Sequence, residues 1–228
     1  MTRWITPRNP RPQDFYLIET MRHCGHGVVK SLDAHLARAG ESARHFGFVF
    51  DPDRVRAALV DRLAASPEEA RIRLSLFDDG RIEIEVSASP STPSWPLRLA
   101  LHPEPMDTTA CWSRHKTSLR RPYDRRRESL PNFDDVIVMN ERGELMETCT
   151  GNLVVMVDGI HLTPPLESGC LPGIERRALL DDGTLREETL TRRHLREATS
   201  IAVVNSLRGW RTAIFMQHST SRRDRVTV

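Results

Sequence analysis

Residues 144–180 read ELMETCTGNLVVMVDGIHLTPPLESGCLPGIERRALL, and the punctuation of this stretch decides how the chain folds. Leu153 to Val157 is an apolar run of strand length, and Leu145-Met146 is a short apolar pair before it. Asp158-Gly159 separates that run from Ile160 to Leu162, a two-residue hairpin signal. Pro172-Gly173 then opens a run to Leu180 that reads as a helix, and a helix start leaves backbone N–H groups without intrahelical partners. Glu147 stands just before the small-residue run Thr148-Cys149-Thr150-Gly151. One acid, two glycine-bearing loops and a helix start are thus close together. Hairpin architecture alone accounts for them, and so does a site for a small, charged, nitrogen-containing ring.

Outward from this stretch the chain mixes strands and helices. Val136 to Met139 pairs with Leu145-Met146 across Asn140-Glu141-Arg142-Gly143. Helices are expected near Ile174 to Leu180 and Leu190 to Glu197, and strands at Ile201 to Val204 and Thr212 to Phe215. Toward the N-terminus, Phe15 to Met21 and Val28-Val29 read as short strands. Asp33 to Phe46 carries Leu36, Ala39, Ala43 and Phe46 at helical spacing, with Gly47 as its stop. Asp51-Pro52 opens a second helix whose buried face is Val55, Leu59 and Leu63. Arg71 to Phe77 and Arg81 to Val86 form a hairpin around Asp78-Asp79-Gly80. Ser89 to Pro96 reads SPSTPSWP, a linker composition. Leu97 to Leu101 alternates again, and a polar region then leads through Tyr123 into a charged helix. The expectation is an α+β chain of two domains, residues 1–92 and 93–228.

A chain of 228 residues suits one large domain or two modest ones, and a net charge of +2 carries no global polyanion signal. Cys24, Cys111, Cys149 and Cys170 form no CxxC pair and no metal-ligand spacing, so buried free thiols in a reducing cytoplasm are expected, with no metal. No apolar run reaches membrane-spanning length. The start, MTRWITPRNPRPQD, lacks the apolar core of a secretory signal and reads as an extended arm.

Several residues invite chemistry, though each has an ordinary reading. Lys116 lies in SRHKTSLRRPYD among Arg114, His115, Arg120 and Arg121. Neighbouring cations disfavour its ammonium form, the condition a Schiff-base lysine needs. It is one of two lysines, with Lys30, in an arginine-rich chain. The ordinary reading is a solvated basic helix. Glu147 is either a surface acid or a partner for a protonated ring nitrogen. Pro172-Gly173-Ile174 and Asn205-Ser206-Leu207-Arg208-Gly209 are plain turns or phosphate cradles. Arg38 is by default a solvated helix charge. An amine, a ring-nitrogen acid, and amides with an arginine for a phosphate are together the demands of pyridoxal 5'-phosphate.

In this order the motifs resemble the fold-type IV pyridoxal-phosphate enzymes: branched-chain aminotransferases, D-amino acid aminotransferases and 4-amino-4-deoxychorismate lyases. The resemblance runs from Leu17 to Phe215. It is carried by LIETMR (17–22), DAHLARAGESARHFGF (33–48), HKTSLRRPYD (115–124), ELMETCTGNLVV (144–155), LTPPLESGCLPGIERRAL (162–179) and NSLRG (205–209). It implies a D-amino acid aminotransferase-like fold, with a small N-terminal α/β domain, a larger C-terminal domain and a homodimeric assembly. Lys116 would hold the cofactor covalently and shuttle the proton. Glu147 would keep the pyridine nitrogen protonated. Arg38, the amides of Ile174 and Glu175, and Ser206 with the Leu207 amide would hold the phosphate, with Tyr123 or Arg120 near the ring. Thr20 stands where the lyase branch carries a threonine, whose hydroxyl would assist the loss of pyruvate. Arg22, Arg73 and Arg208 are candidates for substrate carboxylates, of which aminodeoxychorismate has two.

The leading expectation is therefore a lyase that releases pyruvate and p-aminobenzoate, and the alternative a branched-chain or D-amino acid aminotransferase. A different class is a nucleic-acid binder using the basic run from Arg114 to Arg127. That run holds one aromatic residue and the chain's net charge is small, so neither nucleic acid nor membrane is expected as a partner.

Overall fold

The computed structural model describes residues 15–64, 68–91, 95–108 and 114–217. The expected N-terminal arm, Cys111 and residue 93, the expected boundary, lie outside them.

The N-terminal elements make a three-stranded antiparallel sheet under two helices. Its strands are β1 (Leu17–Cys24), β2 (Glu69–Leu76) and β3 (Ile82–Ala88), in that order, and α1 (Leu32–Phe46) and α2 (Pro52–Leu63) stand between β1 and β2 in the chain. Alternation puts Leu17, Glu19, Met21 and His23 of β1 on the buried face. Met21, Ile72 and Leu74 pack there against Leu36 of α1 and Val55, Leu59 and Leu63 of α2. Asp51 caps α2 by accepting from the N–H groups of Asp53 and Arg54, and Gly47 ends α1 at a φ of 73°.

The C-terminal elements make an eight-stranded mixed sheet. In chain order these are β4 (Leu97–Leu101), α3 (Arg121–Glu128), β5 (Asp135–Met139), β6 (Leu145–Thr148), β7 (Asn152–Val157), β8 (Ile160–Thr163), α4 (Ile174–Asp181), β9 (Arg186–Glu187), α5 (Arg192–Glu197), β10 (Ser200–Asn205) and β11 (Gly209–Phe215). The sheet order is β6-β5-β4-β11-β10-β7-β8-β9. This order forces curvature. Strands β6 and β7 are joined only by Cys149-Thr150-Gly151, yet four strands lie between them in the sheet. Flat, that gap is about 24 Å at ~4.8 Å per strand, beyond the roughly 14 Å an extended linker of three residues reaches. The sheet therefore curls until β6 meets β7, and Thr148 N–H donates to the Gly151 carbonyl at 2.8 Å. Inside the curl sit Leu99, Ile137, Leu145, Leu153, Val155, Leu190 and Val203.

The expected α+β class holds, with local differences. Val28-Val29 is not a strand; Val29 makes a single bridge to His23. Glu147 lies within β6 rather than after it. The last helix begins at Arg192, because Leu190 is spent on the core and Thr191 forms a capping box with His194. Cys149 and Cys170 are buried free thiols, whereas Cys24 is exposed. The 158–159 hairpin turn is as read, with positive φ at both Asp158 (50°) and Gly159 (76°).

Two sets of contacts join the sheets. Ile18 N–H donates to the Lys116 carbonyl and Ser118 N–H to the Tyr16 carbonyl, each at 2.8 Å, so residues 116–118 run along the start of β1. The Ser206 hydroxyl donates to the Thr20 carbonyl at 3.2 Å, and Lys30 pairs with Glu175 at 2.7 Å.

Candidate active site

A cavity of about 330 Å³ opens between the two sheets. It is lined by Thr20 and Arg73 from the small sheet, Arg38 from α1, Lys116 from the connecting segment, and Tyr123 from α3. Glu147 of β6, Ile174 of α4, and Ser206, Leu207 and Arg208 of the β10–β11 turn complete it. Most of the expected site residues are thereby brought together from distant parts of the chain. Two are placed otherwise. Arg22 shares the β1 face of Thr20 but pairs with Glu69 at 2.8 Å outside the cavity. The Glu175 side chain turns to Lys30, while its backbone stays in the first turn of α4.

Lys116 is half-buried, and the surface it keeps faces the cavity. Among the described residues its Nζ has no hydrogen-bond or ion-pair partner, which is unusual for an ammonium in such a place. Burial is the main cause that lowers its pKa, to about 8, with Arg38 and Arg120 adding to it and Glu19 and Glu147 opposing. Of the four sequence neighbours thought to crowd it, Arg120 is among the largest contributors, and Arg38, a larger one, comes from α1. The preceding His115 is fixed by Ser42 at 2.9 Å and stacks on His45 at 4.3 Å. Burial, His45 and Arg114 push its pKa down to about 4.

Glu147 is 5 % exposed. Its Oε1 accepts from the Tyr123 hydroxyl at 2.6 Å and its Oε2 from Leu171 N–H at 3.1 Å. Burial raises its pKa, and Tyr123, Leu171, Arg120 and Lys116 counter only part of that rise. Burial and the Glu147 charge push Tyr123 well above the ordinary phenol value, so it stays a donor. Arg120 stands over the Tyr123 ring at 4.9 Å and donates to the Cys149 carbonyl.

The start of α4 is gripped by its neighbours. Asn152 donates to the Leu171 carbonyl at 2.9 Å, and Arg38 Nη1 to the Pro172 carbonyl at 3.0 Å. A Cβ on Gly173 would fall 1.9 Å from Asn152 Oδ1, so only glycine lets the chain pass there. No side chain caps α4, and its first N–H groups are open beside Ile174 in the cavity wall.

Sequence reasoning passed over Glu19. Its carboxylate takes Arg38 Nε at 2.9 Å and Nη2 at 2.5 Å, and lies 2.6 Å from His35 Nδ1. Burial alone would raise its pKa, but Arg38 and His35 hold it at about 2. The signal was present: the alternation of β1 puts Glu19 on the inward face with Leu17 and Met21. Asn152 and Arg211 were also missed. Arg211 sits at an inward position of β11, while Trp210 and Ile214, the apolar residues that suggest the opposite face, are 38 % and 47 % exposed.

The arrangement fits pyridoxal phosphate by its donor set. It offers an unpartnered amine shifted toward its free base, a buried carboxylate facing the same cavity, and an uncapped helix start next to an arginine. Among the described residues no group of three His, Cys, Asp or Glu is placed to hold a metal, and no helix is long and apolar enough to cross a membrane.

The family described as amino-transferase class IV matches residues 16–213. A Schizosaccharomyces pombe protein named "Putative aminodeoxychorismate lyase" is 23% identical over 190 residues, covering 80% of this chain and 82% of that one. Among solved structures, a "Putative amino-acid aminotransferase" from Mesorhizobium loti superposes with a TM-score of 0.84 at 35% identity, over 89% of this chain and 100% of that chain. A "Putative 4-amino-4-deoxychorismate lyase" from Legionella pneumophila superposes with a TM-score of 0.79 at 22% identity, over 90% and 83% of the two chains, a likeness of fold. Matched from the first strand into the last, this chain belongs to the class IV aminotransferase family of enzymes.

Proposed function

We propose that the cavity binds pyridoxal 5'-phosphate and that the enzyme is a 4-amino-4-deoxychorismate lyase, releasing pyruvate and p-aminobenzoate. The observation that carries cofactor binding is the cavity-facing, partnerless amine of Lys116, lowered to about 8, in the same chamber as buried Glu147. Bound there, the cofactor supplies an electron sink for the carbon that bears the substrate's amine. Lys116 holds it covalently, takes the proton from that carbon and returns one to the departing three-carbon unit. Glu147 keeps a proton at the ring nitrogen, oriented by Tyr123. Arg38, the amides of Ile174, Glu175 and Leu207, and Ser206 receive the phosphate. Thr20 places a hydroxyl in the cavity to assist the release of pyruvate.

The lyase reading is supported by Arg73 and Arg208, which line the cavity without a side-chain partner among the described residues and suit a substrate with two carboxylates. The second reading, an aminotransferase acting on branched-chain or D-amino acids, is favoured by the likeness to the Mesorhizobium loti structure. A boundary near residue 93, a homodimeric assembly and a cytoplasmic setting complete the proposal. The boundary is supported by the separation of the two sheets in sequence.

The test is to incubate cofactor-loaded protein with 4-amino-4-deoxychorismate and assay both products, with Lys116→Ala as control. Equal amounts of pyruvate and p-aminobenzoate, made only when Lys116 is present, would support the lyase. An intact cofactor absorbance band with neither product would reject it and turn the search to amino donors.

A further inference from the structure

Lys30, the other of the chain's two lysines, is held in the short link from β1 to α1. That link turns through positive φ at Gly25 (89°), His26 (51°), Gly27 (76°) and Ser31 (54°). His26 and Ser31 take that conformation at a cost, so the bonds around them must hold it. Cys24 N–H donates to the Val28 carbonyl at 2.7 Å, Val28 N–H to the Gly25 carbonyl at 3.0 Å and Lys30 N–H to the Arg22 carbonyl at 2.9 Å. Gly27 N–H donates to Nε2 of fully buried His23 at 3.0 Å. The backbone at Lys30 is thereby fixed, and its ammonium reaches Glu175 Oε2 at 2.7 Å, 145 residues along the chain.

Glu175 stands where an unpaired carboxylate would do harm. It lies in the first turn of α4, whose opening N–H groups no side chain caps. Those groups and the positive end of the helix dipole attract any anion in reach, a first-turn carboxylate included. Its Oε1 lies 3.9 Å from where a Cβ on Gly209 would stand, so the carboxylate also abuts the turn between β10 and β11. Ile174, Ser206 and Leu207 line the cavity on these two segments, and Glu175 does not. Lys30 is its only ion-pair partner among the described residues. Without that partner, the carboxylate would repel a phosphate dianion at these segments or take the α4 amides for itself. A mere tie between the sheets is not what Lys30 adds. Arg38 to the Pro172 carbonyl at 3.0 Å and Ser206 to the Thr20 carbonyl at 3.2 Å already join the same parts. What Lys30 adds is a positive charge at the one acid of the α4 first turn.

Resting on the reading of the α4 start as the receiver of the cofactor's phosphate, we propose that Lys30 is a positioning residue for that phosphate. It neutralises Glu175 and holds its carboxylate off the α4 amides, which stay open to the incoming anion.

The experiment titrates the full chain with pyridoxal 5'-phosphate and with pyridoxal, which lacks the phosphate, and follows the absorbance of the captured aldehyde. It is run on wild type, Lys30→Met, Lys30→Arg and the double variant Lys30→Met/Glu175→Gln, with melting curves to verify folding. Lys30→Met should weaken binding of the phosphorylated cofactor about tenfold and leave pyridoxal binding unchanged. Lys30→Arg keeps the charge and should bind like wild type. The double variant removes the unpaired carboxylate and should recover most of the lost affinity, a non-additive result. Three outcomes overturn the inference. Lys30→Met binds the phosphorylated cofactor like wild type, or it loses both ligands alike, or the double variant stays as weak as the single one. In each of these cases wild-type capture of the cofactor leaves the cofactor reading standing. If wild type captures neither ligand, the cofactor reading fails and the role of Lys30 falls with it.

Discussion

Glu19 and Arg38 meet as a two-pronged fork, Oε1 to Nε at 2.9 Å and Oε2 to Nη2 at 2.5 Å, with both side chains buried. The fork fixes the guanidinium plane, and the remaining edge reaches the Pro172 carbonyl at 3.0 Å. A strand acid thus aims a helix arginine at the start of another helix.

Replacing Glu19 by Gln leaves Arg38 buried without its counter-ion. Breaking such a pair on one side costs about 3–5 kcal/mol, to be read from urea denaturation at neutral pH. The pH dependence has a definite sign. The folded pKa of Glu19 is about 2, below its ordinary 4.5, so its contribution is present above 4.5 and is lost as pH falls toward 2. Glu19→Gln should flatten the acid limb of the stability curve in that window. An unchanged acid limb would remove the ion pair from the account.

Lys116 should take up the cofactor's aldehyde as a free base. With its pKa near 8 rather than 10.5, the capture rate in stopped-flow absorbance should rise with pH and level off just above 8. Arg120→Met removes one of the cations that disfavour the ammonium, so the midpoint should move upward. Lys116→Ala should show no covalent capture at any pH.

Tyr123→Phe deletes the 2.6 Å hydrogen bond to Glu147 and makes that carboxylate easier to protonate. A hydrogen bond to a charged group is worth about 1.5–3 kcal/mol. Turnover should therefore drop about tenfold to a hundredfold, while folding is retained. A variant with wild-type kcat would show that Tyr123 does not support Glu147.

Gly173→Ala puts a methyl where Asn152 Oδ1 lies 1.9 Å away, so the loop entering α4 must shift. The expected cost is about 1–3 kcal/mol of overpacking, with weaker cofactor binding in a fluorescence titration. Adding Asn152→Ala should recover part of the stability, giving non-additivity in the double mutant. Additive losses would mean that the two residues do not collide.

Much of the architecture was legible because it is written in local signals. The turn at Asp158-Gly159 and the spacing of Val55, Leu59 and Leu63 need no distant partner to be read. The candidate site was legible as motifs in order, and the chamber gathers most of them. What escaped depends on which way a side chain faces in a curled sheet. Arg22 and Thr20 share a strand face, yet only Thr20 reaches the cavity, because Glu69 on the next strand claims Arg22. Arg211 and Trp210 reverse the usual burial of charge and aromatic, and no periodicity foretells that. The low pKa of Lys116 was expected from its sequence neighbours, but burial is its largest cause and Arg38, distant in the chain, comes next.

The parallel pairing of β4 with both β5 and β11 has a consequence for how the chain is made. On a ribosome β4 emerges well before β11, so one edge of β4 stays unpaired until the chain has been made through Phe215. Long-range parallel pairing is slow to form, and an open edge in the meantime invites association with other chains. Removing β11 would do more than shorten the sheet. It would take away the strand that joins β4 to β10, along with Arg211, and leave the nascent half without the surface it folds against.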